Sequence, residues 1–174
     1  TGGKQCTNFF SGGCSYTRVT GIWQTVWMEA VASEGLKDMV IRTDIDQKQL
    51  VATPSFYKES DNILEIILKD GDKVISKKQA TCSNNTCIVL PVKNMKLWSP
   101  ESPFLYELTY LVKDKSGKVL DKVESYTGMR KIHISDGIFY LNNQPYFQRL
   151  VLDQGYYPDG IWTAPSDEAL KNDI

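Results

Sequence analysis

A single histidine, His133, is all the imidazole this sequence holds, and its four cysteines include no Cys-x-x-Cys pair. Both shortages weigh against zinc, which takes four nitrogen or sulfur ligands at short spacing. Charge of one sign is also missing in excess: 20 Lys and Arg face 21 Asp and Glu, for a net charge of −1. There is accordingly no basic patch dense enough for nucleic acid and no acidic tail. No apolar run approaches the roughly 20 residues that span a bilayer; the stretch from Ile63 to Leu68 is too short and contains Glu65. Repeats and low-complexity segments are absent. Asp44, Asp46, Asp61, Asp70 and Asp72 scatter over turns without the alternating spacing of a calcium loop, and read as solvated ends. No metal, cofactor, nucleic acid or membrane partner is expected.

What is present is β-sheet patterning. Of the 174 residues, 41% are hydrophobic and 24% charged, the balance of a soluble globular chain. Strand-like segments recur at 37–44, 50–57, 62–69, 73–76, 86–92, 105–114 and 118–127. Turn residues separate them: Asp61-Asn62, Asp70-Gly71-Asp72, Ser83-Asn84-Asn85 and Lys115-Ser116-Gly117. Seven short strands with no helix between them predict an immunoglobulin-like antiparallel β-sandwich. Both faces of 105–112 are partly apolar, as in a central strand. A short hairpin is expected over 137–146, with Asn142-Asn143 in its tight turn because Asn tolerates positive φ.

The flanks have a different texture. Four glycines at 2, 3, 12 and 13 mark residues 1–15 as irregular. Residues 22–31 alternate: Ile22, Gln24, Val26 and Met28 on one face, Trp23, Thr25, Trp27 and Glu29 on the other, which predicts a strand. Two tryptophans on one face need a broad surface to lie against. Phe147 to Leu152 is apolar enough for a buried strand, followed by an aromatic loop and a helix opening at Ser166. Ser166 suits an N-cap, Asp167 and Glu168 suit the positive end of the helix dipole, and Leu170 and Ile174 share a face. Strand, loop, helix is the opening of a βα unit. The chain begins without Met or an apolar leader, as after removal of a signal peptide or as a piece of something longer; its final helix stops after two turns, which favours a piece of a longer polypeptide.

Cys82 and Cys87 flank a polar turn. With strands on both sides their Cα atoms would lie about 5 Å apart, within reach of a disulfide; two free thiols are the equal alternative. Cys6 and Cys14 are a weaker pair. Pairing would indicate a periplasmic or extracellular setting, free thiols a cytoplasmic one. Asn84-Asn85-Thr86 fits a glycosylation sequon, a match common by chance.

Three patterns stand in a fixed order: Arg18-x-x-Gly21-Ile22-Trp23-Gln24-x-Val26, then Trp98-Ser-Pro100-Glu-Ser-Pro103-Phe-Leu-Tyr106-x-Leu108, then Gly128-x-Arg130 leading into Phe139-x-Leu141-Asn142-x-Gln-Pro145. Together they resemble glycoside hydrolase family 2, the β-galactosidase and β-glucuronidase group, over residues 16 to about 165. The resemblance implies three pieces: residues 1–31 as the end of a sugar-binding jelly roll, 32–127 as the immunoglobulin-like sandwich, and 128–174 as the start of a TIM barrel. It implies a retaining glycosidase acting on a β-linked carbohydrate, most similar to bacterial β-galactosidases. Such an enzyme needs two carboxylates about 5 Å apart. In the family both are late-barrel glutamates, the first in an Asn-Glu pair, and this chain has no Asn-Glu dipeptide. No catalytic residue is therefore expected within it.

The resemblance also places candidate substrate contacts. Asp153 and Gln154 follow the first barrel strand, on the face where TIM-barrel sites are built. Aligned on Pro158, Arg149 and Val151 match the family, while Leu152 and Gln154 stand where an Asn and a His are usual. Tyr156, Tyr157 and Trp162 either stack on sugar rings or pack beneath barrel loops. Ser15 stands where some members place an acidic substrate contact, so that role is not carried over, and Arg18 reads as a structural pairing group. His133, between Ile132 and Ile134, reads as structural. The competing reading is a stand-alone carbohydrate-binding or adhesion module. Exposed flanking strands would also let the chain self-associate as a homo-oligomer.

Overall fold

The structure, a computed structural model, describes all residues except 1–5, 11, 14, 15, 23, 153–156, 159 and 174. The chain divides into two compact units, residues 30–148 and residues 1–29 with 149–174.

The first unit is the sandwich. Its seven strands are β1 (Leu36–Asp44), β2 (Gln49–Phe56), β3 (Ile63–Asp70), β4 (Lys73–Thr81), β5 (Ile88–Pro91), β6 (Tyr106–Lys113) and β7 (Val119–Thr127). They form two antiparallel sheets ordered β1-β2-β5 and β4-β3-β6-β7. Strict alternation produces the core. Leu50, Ala52, Pro54 and Phe56 of β2, Leu64, Ile66 and Leu68 of β3, and Tyr106, Leu108, Tyr110 and Val112 of β6 all point inward and are buried. Two inner faces meeting in this way form the sandwich interior. Pro54 is tolerated in a middle strand because β5 pairs with β2 only as far as Ala52 opposite Ile88. Beyond that point a loop amide, Asn85 N–H, donates to the Pro54 carbonyl at 3.0 Å. At the start of β6 the Tyr106 hydroxyl accepts from the Lys96 backbone N–H at 2.7 Å, a tyrosine-corner arrangement that ties the incoming loop to the core.

β4 runs five residues past the predicted 73–76. Its polar stretch Lys77-Lys78-Gln79 hides a strand because the partner it faces is polar too. Glu65 on β3 is 2% exposed although it points away from the core. It receives Lys113 Nζ at 2.7 Å, Lys77 Nζ at 2.8 Å and Gln79 Nε2 at 2.5 Å. Burial pushes its carboxyl up, but these three donors outweigh it and hold the pKa at about 2.

A third small sheet, β8 (Ile132–Ser135), β9 (Ile138–Leu141) and β10 (Gln144–Pro145), follows the sandwich within the same unit. Both its turns have two central residues at positive φ, Asp136-Gly137 (52° and 75°) and Asn142-Asn143 (52° and 64°). This is the type I′ geometry that Asn, Asp and Gly adopt most readily, and the predicted role of Asn142-Asn143 stands.

Two predicted strands do not form. Residues 24–32 have no ladder among the described residues, and Met28 is 98% exposed. Residues 147–152 likewise have no ladder among the described residues, and Val151 is 92% exposed. Alternation marks which side chains would be buried, but a strand needs a partner's amides and carbonyls to exist. Trp23 lies outside the described residues.

Cys82 and Cys87 are not joined; both are free. Cys82 turns into the core at 1% exposure, whereas Cys87 is exposed with its sulfur 3.9 Å from the Thr53 hydroxyl. The intervening turn is held open by its own bonds: Phe56 N–H donates to Asn84 Oδ1 at 2.7 Å, and Asn84 N–H to Glu59 Oε1 at 2.6 Å. Asn84 of the sequon is thus a strut of this loop. Cys6 is also free and buried, and Cys14 lies outside the described residues.

In the second unit the one described helix, α1 (Asp167–Asn172), starts as predicted. The Ser166 hydroxyl accepts from Ala169 N–H at 3.2 Å, and Asp167 and Glu168 occupy the first turn.

Candidate functional site

The predicted substrate contacts Asp153, Gln154 and Tyr156 lie outside the described residues. Trp162 is described: it is half-buried, and its ring meets Tyr16 with centroids 5.3 Å apart, tilted by 48°. Tyr157 exchanges backbone hydrogen bonds with Ile161 and donates its hydroxyl to Asp173 at 2.6 Å. Arg18 donates to the Phe9 carbonyl at 3.0 Å and lies over the Phe9 ring. His133 stacks on Tyr140 at 4.8 Å, with its Nδ1 buried and unbonded. No cluster of three or more His, Cys, Asp or Glu arranged for a metal occurs among the described residues.

The residues that do converge belong to two of the sequence patterns. Trp98 is their centre. Its N–H donates to the Met129 carbonyl at 2.9 Å, and Asn142 Nδ2 donates to the Trp98 carbonyl at 2.9 Å. Arg130 lies over the indole, its guanidinium carbon 4.8 Å from the centroid. The Arg130 carbonyl accepts from the Thr43 hydroxyl at 2.7 Å. Gly128 is required by contact: a Cβ there would sit 3.0 Å from Trp98 Cβ and 3.1 Å from Cγ and Cδ1. The junction between sandwich and hairpin is closed further by Asp46, which pairs with Lys131 and accepts from Asn143 at 2.7 Å. Those bonds hold its carboxyl below the ordinary range.

Beside this junction lies an open groove of about 530 Å³, lined by Thr43, Trp98, Leu105, Tyr126, Arg130 and Ile132 among others. Among the described residues its lining includes no carboxylate and no thiol. Leu105 and Tyr126 were not singled out in the sequence. The available signal was a large aromatic at a solvent-facing position of an outer strand.

Within residues 30–148 a seven-stranded antiparallel sandwich is joined to a hairpin by a tryptophan-centred junction. Residues 24–130 match the family described as Glycosyl hydrolases family 2, and the chain belongs to that family. Among curated relatives, a β-galactosidase of Lactococcus lactis subsp. lactis is 30% identical over 90% of this chain and 16% of its own length. A β-galactosidase of Clostridium acetobutylicum is 30% identical over 72% of this chain and 15% of its own. The chain thus spans about a sixth of the length of the relatives it matches. Among solved structures, the β-glucuronidase of Ruminococcus gnavus superimposes with a TM-score of 0.56 at 20% identity, covering 68% of this chain and 19% of that one. At that identity the likeness shows the fold.

Proposed function

We propose that this chain is the sandwich segment of a retaining β-galactosidase that hydrolyses O-glycosyl bonds of β-linked carbohydrates. In this reading residues 1–31 end a sugar-binding jelly roll, 32–127 are the linking sandwich and 128–174 begin the TIM barrel. The segment positions its neighbours and supplies neither of the paired carboxylates, about 5 Å apart, that retaining hydrolysis requires. The observation that carries the reading is the 30% identity to a β-galactosidase over 90% of the chain, together with a family match through Arg130. Asp153, Gln154, Tyr156 and Trp162 are the residues proposed to face sugar in the longer enzyme, as loop residues after the first barrel strand. The unpaired flanks around Met28 and Val151 are the surfaces proposed for contact with further protein, including a second copy.

The test is an aryl β-galactoside assayed with the purified 174-residue chain and with the full polypeptide of its gene. The fragment should be silent and the full polypeptide active, with an aryl β-glucuronide turned over more slowly. Turnover by the fragment would overturn the absence of the catalytic pair. Calorimetric binding of galactose or lactose by the fragment at micromolar affinity would favour the binding-module reading. Sedimentation of the fragment reads self-association: a monomer at all concentrations removes the homo-oligomer.

A further inference from the structure

We propose that the Trp98–Arg130 groove is the seat of an acidic loop from the remainder of the glycosidase polypeptide, a carboxylate set among apolar side chains. The inference rests on the reading above that a longer chain exists.

Three observations select this occupant. First, Arg130 is exposed, with its guanidinium carbon over the Trp98 ring 4.8 Å from the centroid, yet it has no carboxylate partner among the described residues. Its backbone carbonyl is fixed by Thr43, so the guanidinium is held at the groove wall by stacking and not by an ion pair. A guanidinium that meets an aromatic ring still has N–H groups to offer a carboxylate. Second, the groove's apolar lining continues outward instead of closing. Tyr126 is 71% exposed, and beyond groove-lining Ile132 the next outward residue of β8, Ile134, is 73% exposed. Scattered apolar residues are ordinary on a surface, but a groove and an adjoining strand face together form a patch of interface character. Third, the family match ends at Arg130, and the relatives carry several times the length of this chain. In the longer polypeptide of the proposed function, that further chain is tethered to this one and so meets the groove at high effective concentration.

Cysteine footprinting tests it in the full polypeptide. Tyr126→Cys is placed in the 174-residue chain and in the full polypeptide, and maleimide labelling at each site is read by peptide mass spectrometry. Lys115→Cys, in the β6–β7 turn at the opposite end of the same hairpin, serves as the control. Labelling at position 126 should be slower by about tenfold or more in the full polypeptide, while position 115 labels equally in both. Adding Arg130→Glu should restore fast labelling at 126, whereas Arg130→Lys should retain part of the protection. Equal labelling at 126 in both chains overturns the proposal. So does protection that appears in the 174-residue chain as its concentration rises, which would assign the groove to a second copy. Protection unaffected by Arg130→Glu overturns the acidic occupant. An active glycosidase with an unprotected position 126 refutes only this inference; a protected position 126 in an inactive polypeptide refutes only the functional reading.

Discussion

Gly128 and Trp98 are in contact so close that the glycine's missing side chain is part of the packing: any Cβ would lie 3.0 Å from that of the tryptophan. The same tryptophan receives Arg130 on its face and is bonded at N–H and carbonyl to Met129 and Asn142. It cannot move without disturbing the hairpin junction. Gly128→Ala should therefore destabilise by about 1–3 kcal/mol through overpacking. Arg130→Ala, which removes only an exposed cation–π contact, should cost about 0.5–1 kcal/mol. Urea unfolding of the two variants checks the order; an Arg130→Ala loss larger than that of Gly128→Ala would refute it.

Glu65 makes stability depend on pH in acid. Its carboxyl is held at about 2 in the folded chain against an ordinary value of 4.5. The folded state thus binds this proton more weakly than the unfolded state. Its contribution is complete above pH 4.5 and is lost as pH falls through about 2. At about 1.4 kcal/mol per unit, the contribution is on the order of 3 kcal/mol. Glu65→Gln should lower stability at neutral pH by about 1–3 kcal/mol and remove this part of the acid dependence. Parallel wild-type and variant unfolding curves between pH 4.5 and 2 would refute the assignment.

How much of this was legible in the sequence depends on where each element's partner lies. The sandwich strands were legible because each alternates against a partner in the same chain, and because Asn142-Asn143 and Ser166 have chemistry that fixes a turn and a cap. The stretch around Trp27 alternates too, and that around Val151 is apolar, but no described residue offers either a ladder, so the pattern gave burial potential without a strand. The last residues of β4 were missed because Lys77 and Gln79 face a buried glutamate, which no hydrophobic period reports. The groove was out of reach for another reason. Thr43, Trp98, Tyr126 and Arg130 are separated in sequence, and only the register of the sheets brings them to one wall.

The two cysteines of the 82–87 turn show what spacing leaves open. It sets how far apart two side chains start, not the side from which each emerges. Burial, reinforced by the charge of Glu34, pushes the Cys82 thiol up to about 11, so almost no thiolate exists at neutral pH. Cys87 is exposed. Maleimide at pH 7 should therefore label Cys87 in the folded chain and Cys82 only after urea is added, read at the peptide level. Recovery of a Cys82–Cys87 disulfide peptide from native protein would refute this.

Asn142 combines a strained backbone with two side-chain bonds, and substitutions can separate them. Its φ is 52°, its Oδ1 accepts from Lys131 N–H at 3.1 Å, and its Nδ2 donates to the Trp98 carbonyl at 2.9 Å. Asn142→Gly keeps the left-handed backbone at no steric cost and loses both bonds, so it measures the bonds alone, about 1–3 kcal/mol. Asn142→Ala loses the same bonds and adds left-handed strain of about 1 kcal/mol. Asn143→Gly, at φ 64°, relieves strain and gives up only the bond to Asp46 at an exposed site, so its net change should stay within about 0.5 kcal/mol. The expected order of stability by thermal unfolding is wild type close to Asn143→Gly, then Asn142→Gly, then Asn142→Ala. Equal losses for the two Asn142 variants would show that the turn relaxes out of type I′ once its link to Trp98 is cut.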